Sequence, residues 1–240
     1  MFKNILNLLR SRLKNHGRNK VDVPKDFFGK YKILISGSQN VLSIGHKCKC
    51  KNLIVKIRGQ NNRVVIEDNF HCKGLCEIYI VGTNSSVFVG SNVAVDVSLK
   101  IYEHNNGQNC KINIGKLCSF YKTEIHNYDD DASVDIGEDC MFAYDTVVYN
   151  TDGHAVLSEG KPCNQARELK IGQHVWVGWG ATILKNSRVA GGGIIGKNTT
   201  IAGAFDEPDC AIVGNPARVV KHNISWDRKS VNEYRMQSNA

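Results

Sequence analysis

The amino-acid sequence predicts an all-β protein folded as a parallel β-helix, and three features support this fold class. An aliphatic residue returns at every sixth position from Ile171 to Asp206. A looser repeat, with aliphatic anchors every 22 to 25 residues, runs from Ile33 to Asp152. Clusters of Gly, Asn, Asp and Ser separate the units, as turns require. A period of six belongs to neither an α-helix nor a flat strand, and it is typical of β-helices.

The first twenty residues predict a basic amphipathic helix. No acidic residue precedes Asp22, and the basic residues lie off the apolar face. Two interpretations are open: contact with anionic lipid, or packing against the first coil or a neighbouring subunit. Residues 1–30 are therefore expected to form a segment separate from the β-helix at 31–221. The apolar face contains Phe2, Ile5, Leu6, Leu9 and Leu13.

The looser repeat predicts coils that are longer than eighteen residues. Its extra residues are expected at one corner, because sequences such as GSQN, GQNN and GTNS recur there. A hydrophobic residue stands four positions after each anchor, and at three of these buried corners it is a cysteine, a small one. The anchors are Ile44, Ile66, Val89, Ile114 and Ile136, and the corner residues after them are Cys48, Phe70, Val93, Cys118 and Cys140. Val175 occupies the same corner after Ile171.

The strict repeat predicts compact coils, with three six-residue units in each triangular turn. On this count, Ile171 to Asp206 makes two coils. The fifth position of each unit is small or β-branched, in Val175, Ala181, Ser187, Gly193 and Thr199. The column expected to face the core is Ile171, Val177, Ile183, Val189, Ile195, Ile201, Val213 and Val219.

One long polar excursion, the loop at 150–168, interrupts the repeat between Ile136 and Ile171. Loops that project from a rigid scaffold often carry function. After the repeat, residues 222–240 are expected to form a C-terminal cap with a short helix, since an open β-helix end exposes strand edges.

Composition restricts the class of partner. The formal net charge is +8, which favours an anionic partner. No recognised nucleic-acid module occurs, so nucleic acid is not expected. Nine cysteines without a signal peptide indicate a reducing cytoplasm and free thiols. No apolar run is long enough for a membrane span.

No metal is expected. His46 with Cys48 and Cys50, or His71 with Cys72 and Cys76, can be drawn as zinc clusters, but neither has the paired spacing of a structural site. The acidic run Asp129 to Asp131 lacks the spacing of a calcium loop.

His154 is the candidate catalytic residue. It opens the long loop, follows Asn150 and Asp152, and is preceded by Gly153, which permits close backbone approach. Histidine suits general-base chemistry near neutral pH. No serine nucleophile motif G-x-S-x-G is present in the sequence.

Four motifs occur in order: the loop entry NTDGH at 150–154, the strict sixes, VWVG at 175–178 within them, and VGNPARVVK at 213–221. Together they resemble the hexapeptide-repeat acyltransferases, left-handed β-helix enzymes that use acetyl-CoA. Within that group the chain is most similar to the capsular polysialic acid O-acetyltransferases. The resemblance implies the left hand of the coil, a homotrimer with active sites at subunit interfaces, and a carbohydrate acceptor.

The resemblance also implies the site residues. His154 corresponds to the catalytic base and Trp176 to the tryptophan of the acetyl site, with Asn150 and Asp152 near the substrate. A backbone N–H near Gly178 is a further candidate for stabilising the oxyanion. The cofactor-binding residues implied are Gly178, Trp179, Lys197, Ala202, Gly203, Arg218 and Lys221.

The predicted function is acetyl-CoA-dependent O-acetylation of a hydroxyl on an acidic, capsule-type polysaccharide, in the cytoplasm or at the inner face of its membrane. Three alternatives stay open. The first is an acetyltransferase for a neutral sugar or a lipopolysaccharide precursor. The second is a metal-dependent β-helix enzyme of the carbonic anhydrase type, which needs three histidines around one metal ion, and His126, His154 and His174 lack a common column. The third is a non-catalytic β-helix that only binds its partner.

Overall fold

The computed structural model describes residues 12–238, which form strands β1 to β25 and one short helix. Neighbouring strands along the solenoid are parallel and belong to successive coils, which confirms the predicted parallel β-helix. The left hand of its turn remains what the family resemblance implies. Each coil has three sides. They are named here face 1, face 2 and face 3 in the order in which the chain forms them, beginning with the side that carries the anchors.

Face 1 is a sheet of nine parallel strands. The predicted anchors pair in register from Ile44 to Ile136 and on to Ile171, and all are buried, so this prediction is confirmed. The strands are β2 (Lys20–Asp22), β4 (Val41–Ile44), β6 (Arg63–Ile66), β8 (Ser86–Val89), β10 (Lys111–Ile114), β12 (Ser133–Ile136), β17 (Glu168–Ile171), β20 (Arg188–Val189) and β23 (Ala204–Phe205).

In the N-terminal coils, single long strands cover both face 2 and face 3. The last of them pairs with one short strand through Phe120 and with another through Ile125, so it spans two sides of the coil. The strands are β1 (Arg12–His16), which lies on face 3 only, β3 (Phe28–Ser38), β5 (Lys49–Gln60), β7 (His71–Thr83), β9 (Ala94–Gln108) and β11 (Ser119–Asn127).

The C-terminal coils divide these sides into short strands. Face 2 continues in β13 (Met141–Phe142), β18 (Trp176–Val177), β21 (Ile194–Ile195) and β24 (Ala211–Gly214). Face 3 continues in β14 (Thr146–Asn150), β19 (Thr182–Leu184) and β22 (Thr200–Ile201). The strict column is buried from Ile171 to Ile201, and all five predicted corner residues are buried as well. The six-residue repeat is therefore confirmed over this range.

The three corners run along the solenoid as edges. The first edge joins faces 1 and 2, the second joins faces 2 and 3, and the third joins faces 3 and 1. Left-handed backbone recurs on the first edge, with φ of 54 to 63°, at Lys47, Asn69, Asn92, Leu117, Asp139 and His174. It recurs on the third edge, with φ of 53 to 60°, at Gln39, Asn61, Asn84, Asn109, Asp131 and Asn186.

The expected placement of the extra residues is only partly right. The turn after β3 consists of Gln39 and Asn40 alone, because Gly37 and Ser38 still pair with β5. The long coils therefore gain most of their length in the strands. Pairing with the next coil satisfies backbone groups that a longer turn would leave to solvent.

The predicted core column is wrong at its end. Ile212 pairs with Ile195 and is buried, whereas Val213 is 38% exposed. The six-residue spacing is interrupted before Ile212, because Phe205, not Glu207, pairs with Val189 on face 1. The last strand, β25 (Ala217–Lys221), runs antiparallel to β24 and pairs Val219 with Ile212. The parallel coil thus ends at β24, and β25 forms the second strand of a closing hairpin.

The N-terminal helix is wrong for residues 12–20. Strand β1 pairs parallel with β3, and β2 pairs with β4, so the coil already includes Arg12 instead of starting near residue 31. Residues 1–11 of the predicted helix lie outside the described residues. Among residues 12–238, no helix is long and apolar enough to cross a membrane.

The C-terminal segment does not simply cover the last coil. After Ile224, whose N–H donates to Asp209 O at 2.9 Å, the chain runs back along the first edge, where the Arg228 side chain donates to Leu117 O. We call residues 224–230 the strap. It leads into helix α1 (Val231–Ser238).

The predicted cysteine environment is confirmed at the first edge. Cys48, Cys118 and Cys140 are fully buried at their corners, as are Phe70, Val93 and Val175 in other coils. Burial raises the pKa of the Cys48 thiol. These cysteines act as small core residues, while Cys163 in the long loop is exposed.

Candidate active site

The long loop leaves the third edge after β14 and rejoins face 1 at β17. Asn150 fixes its base: the buried side-chain amide donates to Asn127 Oδ1 at 2.9 Å and to Ser133 O and Arg167 O at 3.0 Å. Both ends of the loop are thereby tied to one side chain. A small hairpin, β15 (Leu157–Ser158) with β16 (Lys161–Pro162), forms the tip.

His154 is exposed on this loop, directly after Gly153, whose φ is +70°. It lines a groove of about 370 Å³ at the third edge. The loop reaches this position through hydrogen bonds, since Asn164 Nδ2 donates to His154 O at 2.9 Å. The remaining groove residues are Tyr128, Asp129, Asp130, Asp152, Gly153, Ala155, Pro162, Asn164 and Gln165.

Asp152 is held by two donors. Lys185 forms an ion pair with its Oδ2, and Asn164 Nδ2 donates to the same oxygen at 2.7 Å. The bond from Lys185 is the main reason that the pKa of Asp152 lies below its ordinary value. Lys185 also donates to Asn164 O at 2.6 Å, so one ammonium group ties the loop to β19.

The aspartates of the groove accept hydrogen bonds from the protein. Asp129 accepts from Thr151 Oγ1 at 2.8 Å and from Ala166 N at 2.7 Å, and Asp130 accepts from Gln108 N at 2.8 Å. These carboxylates stabilise the loop and the adjacent turn. No group of three His, Cys, Asp or Glu residues within 12–238 is arranged to hold a metal ion.

Trp176 lies on face 2, in β18, and is 37% exposed. Its ring centroid is 6.2 Å from that of Trp226 in the strap. Trp226 is mostly buried and stacks on His174. Trp176, which is predicted at the acetyl site, therefore has a second tryptophan as its neighbour. The sequence did not indicate this neighbour.

Arg228 holds the strap against the first edge through Asp139 and Ser119. Its guanidinium donates to Asp139 Oδ1 at 2.8 and 3.1 Å and to Ser119 Oγ at 2.7 Å. Burial alone would raise the pKa of Asp139, but hydrogen bonds from Arg228 and His174 outweigh it and hold the pKa below its ordinary value. Because these residues are far apart in sequence, no local motif could have identified the network.

Gly178 is buried and its backbone N–H donates to Ile195 O at 2.8 Å. A Cβ here would lie 2.7 Å from the same carbonyl oxygen, so glycine is required by the close approach of the next coil. With its N–H already used between coils, Gly178 does not present a donor to a ligand in this structure.

The predicted cofactor residues lie on three parts of the solenoid. Trp179 and Lys197 share the second edge, with Lys197 Nζ 5.5 Å from the indole centroid. Ala202 and Gly203 are exposed on the third edge, in the coil after Lys185. Arg218 and Lys221 are exposed on β25.

The structure therefore brings some predicted residues together and separates others. His154, Asp152 and Lys185 meet at the third edge. Trp176 lies on face 2, across the coil, and Trp179 lies on the second edge. A single chain thus displays the predicted base and the predicted acetyl-site tryptophan on different sides of the prism.

Two known relatives of this chain have the same activity in their names. A polysialic acid O-acetyltransferase of Neisseria meningitidis is 32% identical over 192 residues, covering 72% of this chain and 88% of that protein. A polysialic acid O-acetyltransferase of Escherichia coli O1:K1 is 34% identical over 102 residues, 41% of this chain and 33% of that protein. No family model matches the chain.

Two solved structures share the fold. The polysialic acid O-acetyltransferase OatWY superposes with a TM-score of 0.57 at 22% identity, covering 94% of this chain and 97% of that chain. The polySia-specific acetyltransferase NeuO superposes with a TM-score of 0.54 at 26% identity, covering 90% and 100%. The similarity thus extends beyond the strict repeats to the long N-terminal coils.

Proposed function

The chain belongs to the family of the polysialic acid O-acetyltransferases, and from this premise we propose that it transfers acetyl groups from acetyl-CoA to hydroxyl groups of an acidic, capsule-type polysaccharide. The observation that carries the proposal is the position of His154. It is an exposed imidazole on the one long loop of the described coils, beside a groove, on a backbone fixed by Asn150, Asp152 and Lys185.

His154 acts as the general base in this proposal. It takes the proton from a sugar hydroxyl while that oxygen attacks the thioester carbonyl, and the protonated imidazole then gives the proton to the leaving thiolate. The acetyl group passes directly to the sugar without a covalent enzyme intermediate. The loop serves this chemistry by holding the imidazole at a fixed place on the third edge.

Trp176 is the proposed donor to the oxyanion. Indole Nε1–H only donates, so it can stabilise negative charge that develops on the carbonyl oxygen. Gly178 was an alternative donor, but its N–H is bonded to Ile195 O. We therefore assign Gly178 to the packing of the coil and retain Trp176 for the acetyl site.

Asn150 and Asp152 are better described as positioning residues than as substrate contacts. Asn150 is fully buried and its amide is used inside the protein. Asp152 is bonded to Lys185 and Asn164 on the same loop. Both residues act on the reaction through the placement of His154.

A homotrimer with interfacial active sites accounts for the separation of these residues. His154 lies on the third edge, while Trp176 and Trp179 lie on face 2 and the second edge. A threefold assembly can place the third edge of one copy against the other side of its neighbour, and the site is then completed by two copies. The separation within one chain supports this arrangement.

The acetyl-CoA residues fit the ligand by chemistry. Lys197 over Trp179 offers a cation beside an apolar ring, and exposed Arg218 and Lys221 offer charges for phosphate oxygens. Ala202 and Gly203 are small exposed residues on the third edge, on the C-terminal side of His154, and they leave space there for the pantetheine chain. We propose that the reaction takes place in the cytoplasm or at the inner face of its membrane.

The direct test replaces His154 by alanine. Release of thiol from acetyl-CoA is measured with capsular polysaccharides, neutral polysaccharides, lipopolysaccharide precursors and sugar nucleotides as acceptors. We expect transfer to fall about 10²- to 10⁴-fold in His154→Ala, as for loss of a general base, with CoA binding retained. His16→Ala, an exposed histidine on β1, is the control. Near-normal turnover in His154→Ala would contradict the assignment.

The acceptor panel separates the alternatives. Transfer only to neutral sugars or lipopolysaccharide precursors would replace the acidic polymer as substrate. Binding of polysaccharide without thiol release from any acceptor would support a non-catalytic binding protein instead.

A further inference from the structure

Charge is distributed unevenly along the solenoid. Residues 12–63, which form the first coils, contain thirteen Lys or Arg and two acidic residues, a formal charge of +11. Residues 64–140, which form the middle coils, contain five Lys or Arg and twelve acidic residues, a formal charge of −7. The positive charge is therefore concentrated at the N-terminal end of the described solenoid. We call residues 12–63 the basic end.

The cations of the basic end face solvent. Eleven of the thirteen side chains are exposed. Among the side chains that the structure describes, only Lys56 of these thirteen forms an ion pair, with Glu77 Oε1 at 3.1 Å. The others are thus available to an anionic partner. Five of them belong to the first coil: Arg12, Lys14, Arg18, Lys20 and Lys25.

The basic end includes cations from every side of the prism. Within residues 12–238, β1 and β2 are the terminal strands of their sheets. Arg12 lies on face 3 in β1, Lys20 on face 1 in β2, and Lys49 on face 2 in β5. Subunits of the proposed homotrimer meet along their sides, so three such ends face the same direction. A broad anionic surface that meets the end can contact cations from all three faces.

The middle coils separate the basic end from the candidate active site. On face 3, β14 leads into the His154 loop and lies six strands beyond β1, which is about 30 Å at the usual strand spacing. The coils between them have the net charge of −7. A polyanion that extended from the basic end to His154 would cross a surface of its own sign. A bilayer that contacts the end alone avoids this repulsion.

We propose that the basic end is a docking surface for an anionic lipid bilayer, with the solenoid standing end-on at the membrane. Each Lys or Arg near such a surface adds to the attraction, so binding requires no inserted apolar segment. The His154 groove then lies about 30 Å from the lipid and stays open to its reactants. Lipid binding at this end does not depend on acetyl transfer, and the homotrimer would strengthen it through avidity.

The test is cosedimentation of the full chain with lipid vesicles over a range of lipid concentrations. We expect binding to vesicles that contain phosphatidylglycerol and not to vesicles of phosphatidylcholine alone. Salt at about 1 M should release the protein, because the screening length is then about 3 Å. The first-coil variant Arg12→Gln/Lys14→Gln/Arg18→Gln should bind phosphatidylglycerol vesicles about tenfold or more weakly, from the loss of three cations.

The matched control is Lys111→Gln/Lys116→Gln/Lys170→Gln. It removes three exposed cations from later coils and changes the net charge equally. We expect this variant to bind the vesicles like the native protein. Equal weakening in both triple variants would overturn the proposal, because attraction would then depend on net charge and not on the basic end.

Three further results would overturn the proposal. One is native affinity of the first-coil variant for phosphatidylglycerol vesicles, which would place lipid binding elsewhere in the chain. Another is the absence of vesicle binding by the native protein. The third is binding of a soluble acidic polysaccharide that the first-coil variant loses, without any vesicle binding, which would assign the basic end to the polysaccharide. Thiol release from acetyl-CoA, measured without vesicles, should be unchanged in the first-coil variant, so failure of the proposed function appears in a separate assay.

Discussion

The indole of Trp226 stacks on the imidazole of His174, with centroids 4.2 Å apart and planes 9° apart. The contact is reciprocal, because Trp226 Nε1 donates to His174 O at 2.9 Å and His174 Nε2 lies 3.1 Å from Trp226 O. Trp226 also packs beside Trp176. The strap therefore forms part of the wall around the proposed acetyl site.

Removing this anchor should destabilise the protein. We expect Trp226→Ala to lower the free energy of unfolding by about 3 kcal/mol, from the loss of a largely buried indole. Trp226→Phe should cost about 1 kcal/mol beyond its smaller size, from the lost Nε1–H bond. Urea unfolding measures both. Equal stability of Trp226→Ala and the native protein would show that the strap contributes little to the fold.

The proposed role of Trp176 can be separated from packing. If its N–H stabilises the oxyanion, Trp176→Phe and Trp176→Ala should both lower kcat by about 10²- to 10³-fold with little change in unfolding. Single-turnover acetyl transfer is the measurement. A phenylalanine variant with native kcat would leave Trp176 as a wall of the site only.

The ion pair between Asp152 and Lys185 should affect activity more than stability. Both groups are partly solvated, so the pair is expected to contribute at most about 1 kcal/mol to folding. Displacement of the His154 loop in Asp152→Asn or Lys185→Met should lower kcat/KM by about ten- to hundredfold. The double variant should resemble the single ones, since each removes the same contact. Additive losses would contradict this account.

The burial of Glu103 predicts an unusual dependence of the free energy of unfolding on pH. It is 2% exposed, and neither carboxyl oxygen has a hydrogen-bond partner among the residues described. Burial raises its pKa well above the ordinary value. The folded state therefore retains a proton that the unfolded state loses above about pH 4.5, so its contribution to stability falls as pH rises towards the folded pKa.

Glu103→Gln removes this titration. The variant should gain stability relative to the native protein between pH 4 and pH 7, by up to about 1.4 kcal/mol for each pH unit until the folded group ionises. Urea unfolding at several pH values measures the difference. A difference that does not change with pH would show that Glu103 titrates normally.

The basic residues of β25 should act on acetyl-CoA alone. We expect Lys221→Met and Arg218→Met each to raise KM for acetyl-CoA by roughly five- to tenfold, from the loss of a charged contact to phosphate. Dephospho-CoA thioesters should reveal which residue meets the 3′-phosphate. Unchanged KM in both variants would place the nucleotide elsewhere.

The coils could be located from the sequence because each one repeats a buried aliphatic residue at a regular spacing. A buried aliphatic residue must recur wherever a strand faces the core, so the spacing along the chain is enough to align Ile44, Ile114 and Ile171. The predicted column failed at Val213, because the last coil is two residues shorter than eighteen at Phe205 and one shorter at Ile212, and nothing local in the sequence signals this. Residues 12–20 were assigned to a helix because their apolar spacing fits a helix, while pairing with β3 determined a strand.

What the sequence determined by itself is the parallel β-helix, its buried columns and the family to which the motifs point. The exposed position of His154 and the strap held by Arg228 and Asp139 were decided by tertiary structure. The physical reason is the separation along the chain. Repetition is written into neighbouring residues, whereas a site on a solenoid joins side chains from different coils, and only the stacking of those coils brings them within contact distance.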